Sequence, residues 1–293
     1  MGKWFMMIVM FGMGLTLTSG DFKPIVRHPW PLVVGVVCQF VIMPALAFGI
    51  ATVLQLSPEL TLGLVLVGSV AGGIGSNVMV YMSKGDVALS VAMTTFSTLI
   101  SAIATPALML LYMNQLLPVP AANLVMSIIQ VVVIPVTIGA LLRSYMPRAT
   151  REAARTVPLV SAIGMVLILA PMVAINQELL VSVAGVLIIA GILHNVGGLF
   201  LGYTVSAAFK MPVPQRRAIS IEVGMQNSAL AAMLAHVHFD PITALPAVFI
   251  SVWTMLFLPI LANRWRFRDE KAKRSGGVKR HTMTIKDTPE TKH

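Results

Sequence analysis

The chain has 293 residues, 57% of them apolar and 11% charged, with a mean hydropathy of +0.85 and a net charge of +10. Those proportions lie far from a soluble globular mixture, and apolar runs of the roughly 20 residues needed to cross a bilayer recur along nearly the whole length. A β-barrel would alternate over ten-residue segments, which are absent, and the single cysteine, Cys38, excludes an intramolecular disulfide and reads as a small packing hydrophobe.

The pattern predicts an all-α polytopic membrane protein with nine spans, at about 4–19, 31–55, 60–82, 86–113, 121–144, 156–175, 180–209, 216–236 and 241–263. The first span is short and begins almost at Met1. No small-residue cleavage site follows it, so it does not read as a signal peptide; a preceding helix is expected to be missing. Basic residues fall in every second connection: Lys23 and Arg27, Lys84, then Arg143, Arg148, Arg151 and Arg155, then Lys210, Arg216 and Arg217. The intervening connections hold Glu59, the Leu116–Pro120 stretch, Glu178 and Asp240. Positive loops stay in the cytoplasm, which puts the N-terminus outside and the C-terminus inside. This distribution also argues against nucleic acid as the reason for the net charge. Residues 264–293 form a polar, basic tail with Gly276-Gly277, expected to be disordered and solvated, with anionic headgroups as the other possible contact.

Span three is interrupted by Gly72-Gly73-Ile74-Gly75-Ser76-Asn77, and span eight by Glu222-Val223-Gly224-Met225-Gln226-Asn227-Ser228. Glycine weakens a helix interior, and non-helical backbone at membrane depth is tolerated only where protein buries it or it lines a cavity. Each interrupted span is third in a group of four, and span five reverses the second group relative to the first. That is the trace of an inverted repeat with a midplane site; the plainer reading of either segment alone is glycine used for close helix packing. Glu222 is the one carboxylate deep inside an apolar segment. A charge there is costly and marks a functional site, and the simplest partner for an anion among amides and hydroxyls is a cation.

The strings Met10-Phe11-Gly12-Met13-Gly14-Leu15-Thr16-Leu17, Gly75-Ser76-Asn77-Val78-Met79 with Gly85 and Ala88-Leu89-Ser90, and Ile221 to Ser228 resemble the bile acid:sodium symporter family, in particular its bacterial branch of bile-acid and pantothenate-precursor carriers. The resemblance covers about residues 5–263. It implies a ten-helix fold, here without its first helix. The core domain, at about 31–113 and 180–263, carries two crossed broken helices, and the panel domain, at about 4–19 and 121–175, moves against it.

By the same resemblance one sodium ion is held by Ser76, Asn77, Ser90, Thr94 and Glu222. A second is held by Gln39, Glu222, Gln226 and the backbone carbonyls of Val223 and Met225. Hard cations take oxygen ligands, and Ser90 and Thr94, four apart, share a helix face. On the residues alone, those two hydroxyls bonding their own helix is the plainer reading. Substrate is expected beside the broken helices, against Asn227, Asn77, and Thr94 or Thr98. His194 reads equally as a packed histidine or as a proton or substrate group. Thr254 follows Trp253 where a bacterial bile-acid carrier would have histidine, which points to a different ligand.

The expected function is sodium-coupled import of a small organic anion such as pantoate or ketopantoate through a bacterial inner membrane. Sodium is the coupling ion, and no other cofactor, nucleic acid or obligate protein partner is evident. Bile acid uptake, or sodium/proton exchange through Glu222, is the alternative. An enzyme such as an intramembrane protease would need paired aspartates, a Ser with a His, or a metal-binding His cluster; the spans hold one carboxylate and no H-E-x-x-H pattern. A channel would suggest rings of like groups from several subunits. Lys84 reads as an interfacial charge that snorkels to headgroups, the methionines as packing residues, and Pro44, Pro106, Pro135 and Pro246 as helix kinks.

Overall fold

The computed structural model describes residues 2–18, 20, 28–73, 75–175 and 177–286. Lys23, Arg27, Ile74 and the last seven residues of the expected tail lie outside the described residues. The helices, in chain order, are α1 (Gly2–Thr16), α2 (Trp30–Val53), α3 (Pro58–Ser69), α4 (Ser76–Met82), α5 (Val87–Met113), α6 (Ala121–Ile128), α7 (Ile134–Tyr145), α8 (Pro147–Ile175), α9 (Gln177–Ala208), α10 (Val213–Gly224), α11 (Ser228–His238) and α12 (Leu245–Lys286). Among the described residues Gly72 and Gln226 also form an isolated antiparallel bridge.

By length and composition five helices are able to cross a membrane, or six if the pair Pro147–Val157 and Leu159–Ile175, bent by 48°, is one span. This is the architecture of a polytopic α-helical membrane protein. Its outer surface agrees: Val37, Val41, Ile103, Leu111, Phe200 and Ile260 are exposed, an apolar skin suited to lipid and not to water. Inside, Met6, Met10, Met43, Met109 and Met113 are fully buried, and Cys38 nearly so, in the packing role expected of them.

Helix starts follow local chemistry. Ser57 accepts from the Leu60 amide ahead of Pro58, and Asp86 accepts from the Leu89 amide at 3.1 Å to begin α5. The prolines divide into two groups. Pro44 and Pro106 sit inside α2 and α5. Pro135 lies just beyond a π-helical turn, Ile129–Val133, that joins α6 to α7, an arrangement that absorbs its missing N–H. Pro246 is the second residue of α12, where no intrahelical donor is needed, so it interrupts nothing.

Helix α1 lies on α7 and α8. A Cβ on Gly14 would strike the Val136 carbonyl and one on Gly139 the Phe11 carbonyl, so this crossing depends on bare backbone. One buried apolar cluster joins α1, through Met6, Met10 and Met13, to Leu62 and Leu66 of α3 and to Leu230 and Leu234 of α11. The segment from Arg264 to Lys271, expected at the start of a disordered tail, continues α12 and carries ion pairs to the rest of the molecule.

Candidate functional site

Helix α3 stops at Ser69 and α4 starts at Ser76; α10 stops at Gly224 and α11 starts at Ser228. The two gaps cross. Gly73 N–H donates to Met225 O at 2.7 Å, and Asn227 N–H donates to Ala71 O at 3.0 Å. Buried backbone groups released by a broken helix must be paired again, and side chains complete the accounting. Gln39 Nε2 donates to Val70 O (2.9 Å), Thr105 Oγ1 to Ser69 O (2.7 Å), Gln226 Nε2 to Val223 O (2.6 Å) and Asn195 Nδ2 to Gly224 O (2.8 Å). Asn227 Oδ1 caps α11 through the Leu230 amide at 3.1 Å.

Glu222 is 1% exposed, one turn before the second gap. Its Oε1 accepts from Ser76 Oγ at 2.6 Å and from Ser90 Oγ, and its Oε2 accepts from Thr94 Oγ1 at 2.8 Å. Ser90 Oγ also lies 2.7 Å from Asn77 Oδ1, and Thr94 Oγ1 lies 3.0 Å from Ser90 O. All five residues expected at the first ion position therefore converge from α4, α5 and α10. Thr94 satisfies both readings of its hydroxyl, touching its own helix and the carboxylate. Ser90 Oγ has one proton to give and lies between Glu222 Oε1 and the Asn77 amide, so it links the amide to the carboxylate. A surplus of oxygen around a buried carboxylate suits a small hard cation. Room for the carboxylate comes from Gly72, where a Cβ would sit 2.8 Å from Glu222 Oε2.

The residues expected at the second ion position form an adjoining group. Gln39 Nε2 donates to Gln226 Oε1 at 2.6 Å. The carbonyls of Val223 and Met225 each accept one hydrogen bond already, from Gln226 Nε2 and Gly73 N–H. A carbonyl retains a second lone pair, so both keep capacity for an ion.

A cavity of about 290 Å³ opens beside the crossing. Gly73, Gly75, Asn77, Met225, Gln226 and Asn227 form one wall. The facing wall comes from α1 and α8, through Met6, Val9, Met13, Thr16, Ser161 and Met165. Of the residues expected to face substrate, Asn77 and Asn227 line this cavity; Thr94, Thr98, His194 and Thr254 are buried and do not. His194 has the Met43 backbone as its neighbour for a hydrogen bond, whereas the hydroxyls of Thr254 and Ser161 have no hydrogen-bond partner among the described residues. Sequence reasoning missed two contributors. Asn195 holds the second gap and accepts from Trp253 Nε1 at 3.1 Å, and a buried amide in a span was its available signal. Ser161 sits on the cavity wall, and nothing in its neighbours distinguishes it.

The chain is similar to known proteins over most of its length. A family model described as the Sodium Bile acid symporter family matches residues 4–183. The chain is 43% identical over 272 residues to the uncharacterized sodium-dependent transporter YocS of Bacillus subtilis (strain 168), covering 93% of this chain and 84% of that protein. It is 42% identical over 261 residues to the probable sodium/metabolite cotransporter BASS2, chloroplastic, of Oryza sativa subsp. japonica, with 89% of this chain and 62% of the rice protein covered. It is 30% identical over 239 residues to the human ileal sodium/bile acid cotransporter, covering 80% of this chain and 68% of that protein. These relatives are sodium-coupled transporters and not enzymes, and the chain belongs to the sodium bile acid symporter family.

Proposed function

We propose that the chain is a symporter that carries a small organic monoanion, such as pantoate or ketopantoate, into a bacterial cell together with sodium, by alternating access. The carrying observation is the buried Glu222 carboxylate, ringed by Ser76, Ser90 and Thr94 with Asn77 behind them. In this reading one sodium ion sits among those five residues, and a second sits between Glu222, Gln39, Gln226 and the carbonyls of Val223 and Met225. One carboxylate, two sodium ions and one monoanion sum to zero charge; the fully loaded and the emptied carrier cross, while partly loaded ones are disfavoured by the apolar barrier. The substrate occupies the cavity beside Asn77 and Asn227, with amide donors in place of a basic clamp, since no Lys or Arg lines it.

The remaining architecture is part of the same proposal. Nine spans, two of them broken, form an inverted repeat. The body of α2, α3–α5 and α9–α12 is the core, and α1 with α6–α8 is the moving panel. The protein sits in the inner membrane with its basic C-terminal end in the cytoplasm. Transport of a larger apolar-bodied anion of the bile-acid kind is the second reading, favoured by the methionine and valine lining of the cavity.

The test is thermal unfolding of the purified protein against sodium, with potassium holding ionic strength constant, followed by uptake of labelled pantoate and bile acid into vesicles. A ligand that binds the folded state raises the Tm as its concentration passes Kd. The expected result is a sodium-specific rise that disappears in Glu222→Gln, and uptake that stops without sodium. Uptake unchanged in sodium-free medium would refute the proposal.

A further inference from the structure

Arg217 lies on α10 five residues before Glu222, at the end of that half-helix away from the crossing. It is a full charge at 7% exposure, a costly condition unless every donor is engaged. Its guanidinium bonds both oxygens of Asp269, Nη1 to Oδ2 at 2.6 Å and Nη2 to Oδ1 at 2.8 Å. The same Nη1 donates to Ser83 O at 2.7 Å, and the group lies 5.6 Å from the centre of the Trp265 ring. Three segments meet here: the outer end of α4, the outer part of α10, and α12 beyond its apolar stretch.

Helices α4 and α10 run from this meeting point to the crossing in opposite chain directions. At the inner end they are joined by Ser76 Oγ and Glu222 Oε1 at 2.6 Å. At the outer end they are joined by Arg217 and Ser83 O, and the turn behind adds Asp86 N–H to Pro214 O at 3.0 Å. A slide of one half-helix along the other by two residues' rise, about 3 Å, would carry Glu222 Oε1 to about 4 Å from Ser76, beyond hydrogen-bond reach, and half that slide would already misalign the contact. The outer bond blocks that slide. Arg217 has the donor fork to hold a carbonyl and a carboxylate together, which a lysine lacks. Asp269 supplies the charge that lets the guanidinium stay buried.

We infer that Arg217 and Asp269 are a positioning pair for the ion site: they fix the axial register of α10 against α4, and so set sodium affinity from a place that touches neither ion nor substrate. This rests on the reading of the Glu222 cluster as a sodium site. It also gives the extension of α12 a purpose that its basic composition does not suggest.

The experiment is a sodium titration of the full chain by thermal unfolding at constant ionic strength, paired with uptake kinetics. The variants are Arg217→Gln, Arg217→Lys, Asp269→Asn and the double Arg217→Gln/Asp269→Asn, with Glu222→Gln as reference. The half-saturating sodium concentration is expected to rise about tenfold in Arg217→Gln, the loss of roughly one hydrogen bond to a charged group. Asp269→Asn and Arg217→Lys should shift it severalfold, and the double variant no further than Arg217→Gln, because the two side chains act as one unit. Substrate KM at saturating sodium should stay at the parent value. A uniformly lowered Tm with the parent's sodium dependence would overturn the inference and leave the pair a structural brace, as would a changed substrate KM at saturating sodium. A parent that ignores sodium, or a Glu222→Gln variant that responds like the parent, would instead remove the sodium reading and this role with it.

Discussion

The two interruptions that cross at the site are built in opposite ways. The first, between Ser69 and Ser76, is made of glycine and backbone: Gly72 and Gly73 offer space and main-chain groups, and no side chain of theirs enters the site. The second, between Gly224 and Ser228, is densely functional, with Glu222 one turn before it and Gln226 and Asn227 inside it. One segment clears room and the other fills it with charge and amide oxygen. A buried ion site needs both, because ligands close enough to hold a small cation leave no volume for a second set of side chains. Hence the polar partners of Glu222 come from the helices that follow the first gap, through Ser76, Ser90 and Thr94, and not from the gap itself.

The largest effect should come from filling the cleared side. In Gly72→Ala the new methyl sits 2.8 Å from Glu222 Oε2, so the carboxylate must move. Sodium-dependent stabilisation is expected to fall at least tenfold in apparent affinity, nearly as far as in Glu222→Gln, and a sodium titration equal to the parent's would break the contrast. Removing one of the oxygens that the helices after the first gap bring to Glu222 should cost less. Thr94→Val keeps the shape but drops a donor to Oε2, and a roughly tenfold weaker sodium response is expected in the same titration. Asn195→Leu is smaller again. It keeps roughly the volume and adds no charge while losing the donor to Gly224 O and the acceptor for Trp253, and a severalfold loss of sodium affinity with normal protein yield would confirm that the second gap is held from α9.

The smallest effect lies far from the crossing, at Glu270. Hydrogen bonds from Arg266 and then Lys84 hold its carboxyl below the usual carboxylate range. A depressed pKa contributes stability above the unfolded-state value, and that contribution is lost as pH falls through the folded one. The pair is surface-exposed and screened, so Tm curves of the parent and Glu270→Gln should differ slightly near neutral pH and converge below about pH 4.

Much of this was legible in the sequence, for identifiable reasons. A carboxylate within an apolar run stands out because the membrane makes it costly, so Glu222 needed no structure to find. The two glycine–polar strings announced the breaks because glycine and amides are poor choices for a lipid-facing helix. The cavity was only half visible: Asn77 and Asn227 adjoin the breaks in sequence, whereas Thr16 and Ser161 reach it through the approach of α1 and α8. Loop charge misled in one respect. Arg217 and Lys84 read as topogenic charges, and nothing local reveals that Asp269 and Glu270, from a segment taken for tail, come back to pair with them. The π-helical turn before Pro135 is likewise silent, since proline reports a missing donor and not how the chain accommodates it.

The bond pattern at the crossing has a further consequence. Gly73 to Met225 and Asn227 to Ala71 are joined through main-chain atoms alone, so the knot at the centre of the protein holds whatever side chains its neighbours carry. Such a scaffold separates architecture from recognition. Under the proposed reading, exchanges at Ser161 or Met165 would revise the cargo while leaving the crossing intact, whereas a methyl at Gly72 or Gly73 would disturb the foundation for every cargo at once. A transporter built this way acquires new substrates by small steps, each passing through a folded, ion-binding ancestor.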